Sequence, residues 1–187
     1  MSTRVAGLTG VTLQDAPQVC HDCIWWQGSV EKRRWIERAE LDWGAWGAVY
    51  RDDDGTVIGS MQYGPAELFP RARDLPAGPP SDDAVLVTCA YLLGRASPWV
   101  MQSLFLAAIG DARDKKAGAL ETFGYRYPEG ESPHERFFVH RTVFPRDFLS
   151  DFGFETVRRL GRIELVRLEL GGLQPVAGAR GRRCSGS

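Results

Sequence analysis

The chain has 187 residues, 43% of them hydrophobic and 25% charged, with a formal net charge of −1. That is enough chain, and enough apolar side chain, for the core of one ordinary globular domain. It carries no overall field to draw in nucleic acid or an anionic membrane, no apolar run near the roughly 20 residues that cross a bilayer, and no apolar centre in MSTRVAGLTG of the kind a secretory leader needs; a cytoplasmic protein is expected.

LTGVTL (8–13) alternates and predicts a first strand. Asp15 is a good cap for a helix with Pro17 in its first turn, and that helix takes in Cys20 to Trp26 before Gly28-Ser29 breaks it. VEKRRWIERAEL predicts a second helix, with Val30, Trp35, Ile36 and Leu41 apolar and charges elsewhere. GAWGAVYRDDDGTVIGSMQYG predicts a hairpin, with strands Trp46–Arg51 and Val57–Tyr63 about the turn Asp52-Asp53-Asp54-Gly55. Residues 64–83 hold five prolines and no period, which predicts a loop, and a loop of that length in a compact domain is more often functional or mobile than accidental.

The segment from Ala84 to Tyr125 says most. AVLVTCAYLL is almost wholly apolar, as a strand covered on both faces should be. After the break GRAS a helix opens at Ser97-Pro98, with Met101, Leu104, Phe105, Ala108, Ile109 and Ala112 along one face. ALETFGY returns as a strand. A helix start at the end of a buried strand offers free N–H groups and a partial positive charge, which suit phosphate. A nucleotide-containing cofactor is therefore expected at the turn from Arg95 to Met101.

Residues 126–141 are irregular and polar and hold His134 and His140. Pro145 to Phe152 predicts a short helix with Pro145 in its first turn and Gly153 at its stop. FETVRR and RIELVRLEL close as two strands about Leu160-Gly161, and the chain from Gly171 reads as a flexible tail. This order predicts an α/β (α+β) fold over 1–170, a mixed central sheet flanked by helices on both faces.

Four cysteines are present, and Cys20-His21-Asp22-Cys23 is their one motif. Zinc needs about four ligands, and no second C-x-x-C or H-x-x-x-H accompanies it. A redox pair would open a helix after a strand, whereas this pair lies inside one. A structural role is expected, with Cys20, Cys23 and Ile24 on an apolar face with Trp26, and no metal. Cys89, in a buried strand, reads as a small core residue. Trp25, Trp26, Trp35, Trp43 and Trp46 crowd the first 46 residues and read as core or as the wall of a binding pocket. Only Lys32, Lys115 and Lys116 among the 23 basic residues are lysines, the bias of a GC-rich genome, which favours a bacterial source.

Three patterns, in this order, resemble the GNAT superfamily of N-acetyltransferases. DDDGTVIGSMQY is similar to the hairpin between its second and third strands, where D-G-x-x-(I/V)-G is common. VTCAYLLGRASPWVMQSLFLAAIGDARDKKAGALETFGY stands in the place of its acetyl-CoA motif. DFLSDFGFE resembles its late L-Y-x-x-x-G-F pattern. The resemblance runs from Leu8 to Leu170. It implies acetyl-CoA as cosubstrate, bound where the fourth and fifth strands part, and direct attack by the amine of a small-molecule or peptide acceptor. Nucleic acid and membrane are not expected partners, and a homodimer stays open. The resemblance places the backbone of Tyr91, Leu92 and Leu93 against the pantetheine arm, and Arg95, Ser97, Trp99, Val100 and Met101 at the pyrophosphate.

Two departures stand out. The family's (Q/R)-x-x-G-x-(G/A) loop is here Arg95-Ala96-Ser97-Pro98-Trp99-Val100, with Pro98 and Val100 where small residues let the backbone approach phosphate. Leu149 stands where the family often has a tyrosine as general acid. Tyr125 and Tyr127 then become the candidates to protonate the leaving thiolate. A protonated amine cannot attack a thioester, and Glu121, mid-strand in ALETFGY, is the candidate base, with Asp82, Asp83 and Glu67 behind it. The departures also raise the alternative of a GNAT-like binding or regulatory module without catalysis.

Overall fold

The apolar run at Ala84 becomes the middle of the sheet. The computed structural model describes residues 4–93, 98–128, 130 and 142–172. Its strands are β1 (Val5–Gly7), β2 (Gly47–Arg51), β3 (Val57–Pro65), β4 (Ala84–Leu92), β5 (Ala119–Tyr125), β6 (Phe144–Pro145), β7 (Glu155–Leu160) and β8 (Ile163–Glu169). They form one eight-stranded sheet in the order β1-β2-β3-β4-β5-β8-β7, with β6 beside β5. β4–β5 and β5–β6 are parallel and the other pairs antiparallel. The helices are α1 (Gln18–His21), α2 (Lys32–Asp42), α3 (Pro98–Asp114) and α4 (Arg146–Asp151). The expected mixed sheet with flanking helices is what the chain forms. No helix among the described residues is long and apolar enough to cross a membrane.

Strand alternation gives β4 and β5 two buried faces. Val85, Val87 and Leu120 pack with Val100, Met101, Leu104, Phe105 and Ala108 of α3. Leu86 and Phe123 face the other way, into a core with Trp26, Trp35, Ala39, Trp46 and Phe69. Each fully buried Leu or Phe in these layers contributes roughly 1.5–3 kcal/mol. α3 is the crossover that a parallel pair requires.

Several local expectations are corrected. The first strand is Val5–Gly7, not 8–13. Thr9 and Thr12 use their hydroxyls on nearby backbone: Thr12 Oγ1 donates to Gly7 O (2.8 Å) and accepts from Thr9 N (2.8 Å). Such bonds favour a turn over a ladder, and a 3₁₀ turn follows at Thr12–Asp15. The first helix shrinks to Gln18–His21 with Pro17 as its N-cap, because Asp15 is engaged by Arg51 Nη2 (2.6 Å). In α2 the buried stripe is Trp35 and Ala39, one turn apart, while Leu41 is 86% exposed; Val30 lies before the helix.

The proline-rich stretch is anchored. Gly64 and Pro65 belong to β3, two 3₁₀ turns follow at Ala66–Leu68 and Pro70–Arg73, and Phe69 and Ala72 are fully buried. Pro145 belongs to β6 and caps α4 rather than starting it. Gly153 stops α4 with φ +88°, a conformation that suits glycine. His134, His140 and the tail from Leu173 lie outside the described residues.

Candidate active site

β4 and β5 pair only from Ala84↔Ala119 to Val87↔Thr122. Thr122 Oγ1 donates to Val87 O (2.8 Å) at the last step, and beyond it the strands part. The cause is visible on the other side of β4. The β3–β4 register passes from Gln62↔Cys89 to Tyr63↔Val87, so Thr88 is an extra residue, a β-bulge that bends the strand. Thr88 is fully buried, and its hydroxyl is within 3.1 Å of both Gln62 O and Gln62 Oε1, which fastens the bulge to β3. β5 loses β4 but gains β6 on the same edge, at Gly124↔Phe144 and Tyr125↔Pro145.

Past the bulge, β4 has an edge with no strand partner among the described residues. Leu93 N donates to Ile58 O (3.0 Å). Antiparallel alternation then turns the backbone groups of Tyr91 and Leu93 toward β3, and those of Ala90 and Leu92 toward the open edge. Of the three residues expected to meet a pantetheine arm through their backbone, the geometry thus favours Leu92 and adds Ala90. Leu93 is committed to the sheet.

α3 begins at Pro98, close after this edge, and runs for 17 residues. Arg95 and Ser97 lie outside the described residues. Val100 and Met101 turn their side chains into the core, and Trp99 is 72% exposed. The size of Val100 is matched by Gly59 on β3: a Cβ built at Gly59 falls 2.6 Å from Val100 Cγ1. The Val100 side chain is therefore accommodated inward, toward the sheet.

On the side of the first helices, a cavity of about 170 Å³ meets β4 at Cys89, Ala90 and Tyr91. Leu8, Leu13, Trp26, Trp46 and Met61 make it apolar, Ser60 and Gln62 of β3 border it, and Cys20, Cys23 and Lys32 close it from the helical side. Trp26 and Trp46 are therefore both core and pocket wall. Burial pushes the Cys89 thiol up to about 12, so it stays protonated and is a poor nucleophile. The Lys32 ammonium donates to Cys23 O (2.8 Å) and lies 5.1 Å and 5.3 Å from the ring centroids of Trp35 and Trp46. Burial lowers its pKa. Among the described residues, no group of three His, Cys, Asp or Glu side chains is placed to hold a metal ion.

Glu121 is fully buried, but it sits where the strands are still paired, opposite Leu86. Ser81 N and Oγ donate to its two oxygens (2.8 and 2.7 Å), and Arg167 Nη1 donates to Oε1 (3.1 Å). Its sequence partners in the pattern never pointed to Arg167, 46 residues away, which also holds Asp83 (2.8 Å). A carboxylate bound on both oxygens in an ion pair is a structural tie, so the expected base role loses its geometric support. Asp82 and Glu67 are exposed. Tyr125 is half-buried at the end of β5, edge-on to Tyr127 (4.9 Å), and alternation sets it on the same face as Phe123, the cavity's face. Leu149 is fully buried, with Cδ1 3.2 Å from a Cβ built at Gly124.

No family model matches the chain, and no curated protein sequence matches it significantly. Solved structures do. The NatB acetyltransferase complex bound to CoA and MES aligns over 90% of this chain and 99% of its own, at 10% identity and TM-score 0.54. PaiA N-acetyltransferase from Thermoplasma acidophilum, in complex with coenzyme A, aligns over 90% and 99%, at 13% identity and TM-score 0.51. Naa20 from Chaetomium thermophilum, in complex with a bisubstrate analogue, aligns over 90% and 87%, at 11% identity and TM-score 0.52. The fold is that of the GNAT N-acetyltransferases. At such identities the likeness is one of fold. The GNAT resemblance read from the hairpin, the strand–helix–strand unit and DFLSDFGFE is therefore correct as to architecture. Lys32, Thr88, Gln62 and Ala90 were not singled out in the sequence. Of these only Lys32 left a signal, as a rare lysine among arginines one turn before Trp35.

Proposed function

We propose that this chain is an N-acetyltransferase that passes the acetyl group of acetyl-CoA to an amine by direct attack. The observation that carries this reading is the parting of β4 and β5 after Val87, with an open β4 edge and an apolar cavity converging at Cys89–Tyr91. Backbone groups of Ala90 and Leu92 would hold the pantetheine arm, and N–H groups in the first turn of α3 would face phosphate. Bound acetyl-CoA supplies the activated acyl group. A β4 N–H at the open edge would stabilise an oxyanion. The apolar cavity disfavours a charged amine, which lowers its pKa and lessens the need for a dedicated base. Tyr125, with Tyr127 edge-on beside it, stays a candidate to protonate the thiolate.

The test is release of free CoA thiol from acetyl-CoA over a panel of small-molecule and peptide amines. Thiol release that requires both protein and amine supports transfer. The second reading, a fold that binds without catalysis, is favoured by buried Leu149 and by the commitment of Glu121 to Arg167. It expects acetyl-CoA binding with no thiol release from any amine.

A further inference from the structure

Among the described residues, Lys32 is the one charged side chain in the wall of the cavity. Its ammonium has a carbonyl and two indole faces for company. Among the described residues no carboxylate pairs with it. The neighbouring acids are engaged elsewhere. Glu31 caps α2 by accepting from Arg33 N and Arg34 N, Glu37 pairs with Arg33, Asp42 with Arg38, and Glu40 accepts from Gly10 N. Asp22 is exposed and forms no ion pair with Lys32.

Lys32 is also the first residue of α2. The start of a helix is its positive end, where a cation is disfavoured and an anion favoured. A half-buried ammonium with no carboxylate paired to it among the described residues gains from an anion brought beside it. Both effects are relieved by one thing, a negative group entering the cavity.

We infer that the cavity recognises a carboxylate on a small apolar or aromatic body, held by Lys32. This rests on the acetyl-transfer reading for its consequence: the acceptor is a small amino-carboxylate, with its anionic end at Lys32 and its amine toward β4 at Cys89–Tyr91. The aromatic and aliphatic walls suit a ring or short branched chain. A polycationic acceptor is disfavoured, because a second positive charge would meet Lys32.

The test is binding without acetyl-CoA, by calorimetry on the full chain. The probes are 3-phenylpropionate, its neutral amide 3-phenylpropionamide, and phenethylamine. The carboxylate is expected to bind at least tenfold more tightly than either of the others, and Lys32→Met is expected to bring it down to the level of the amide. Equal binding of carboxylate and amide, no binding of any probe, or full carboxylate binding by a folded Lys32→Met variant overturns the inference. The wild-type comparison needs no variant, so a misfolded Lys32→Met leaves the test decisive. Because acetyl-CoA is absent, the result is independent of cosubstrate binding. Tight acetyl-CoA binding with equal carboxylate and amide affinities would sink this inference alone.

Discussion

Two charges, Glu121 fully buried and Lys32 half-buried, lie along the same face of the central strands, and the structure treats them in opposite ways. Glu121, where β4 and β5 are still paired, is enclosed by Ser81 and Arg167. Lys32, beside the part of β4 that has left β5, meets a carbonyl and two indole rings, and no carboxylate pairs with it among the described residues. The difference separates structure from function. A buried charge whose hydrogen-bonding capacity is filled ties the fold together and has nothing left to offer a substrate. One left short of its counter-ion, in a cavity, keeps its interaction energy for a ligand. A second filled site, at Glu164, follows the Glu121 pattern: Arg126, Arg146 and Thr156 all donate to its buried carboxylate.

The comparison breaks first at Arg167. Arg167→Ala strands the Glu121 carboxylate in the core and should cost about 3–5 kcal/mol, read from the shift in denaturant midpoint at constant slope. A loss below about 1 kcal/mol would mean that Glu121 is not held as an ion pair, and its candidacy as a base would return. Next comes acid. Burial pushes the Glu164 carboxyl up, but hydrogen bonds from Arg126, Thr156 and Arg146 outweigh this and hold it down at about 2. A pKa lowered on folding stabilises the native state above the unfolded value, here 4.5, and that stability is lost as pH falls from there toward 2. Melting temperature should drop across this window, and Glu164→Gln should flatten the drop while lowering stability at neutral pH.

Thr88→Val tests the bulge that separates the two regions. It removes a buried hydroxyl bonded to Gln62 and should cost about 1 kcal/mol, with a larger proportional loss in acetyl transfer than in stability because the open edge moves. Equal activity would show that the bulge does not set the site. The smallest effect on stability belongs to Lys32→Met. Loss of the cation–π contacts is offset by loss of an uncompensated charge, so the denaturant midpoint should change by less than about 1 kcal/mol. A loss matching that of Arg167→Ala would place Lys32 with the structural charges.

The contrast also shows what could be read before the structure. β5 was legible to the residue, and the β2–β3 hairpin, β4 and α3 to within about two residues at their ends, because hydrophobic period, turn residues and length agree in each. The region from Leu8 to Trp26 was not, because Thr9 and Thr12 bond to local backbone and Leu8 and Leu13 are buried without forming a ladder. The bulge at Thr88 is silent in an unbroken apolar run: shifting the register by one residue changes which backbone groups face the open edge, yet leaves the sequence pattern intact. Glu121 was legible as buried, but not as paired, since Arg167 reaches it only through the β5–β8 register, Glu121↔Arg167. Lys32 looked like one more charge on an amphipathic helix. Its surroundings come from Cys23, Trp46 and the cavity wall at Cys89, which no local window contains.

Calorimetric titration of the full chain with acetyl-CoA tests the central claim, that the parted strands form a working acyl-donor site. The expected result is saturable binding of one acetyl-CoA per chain well below millimolar concentration, weakened in Thr88→Val. No heat of binding at millimolar acetyl-CoA would contradict the account.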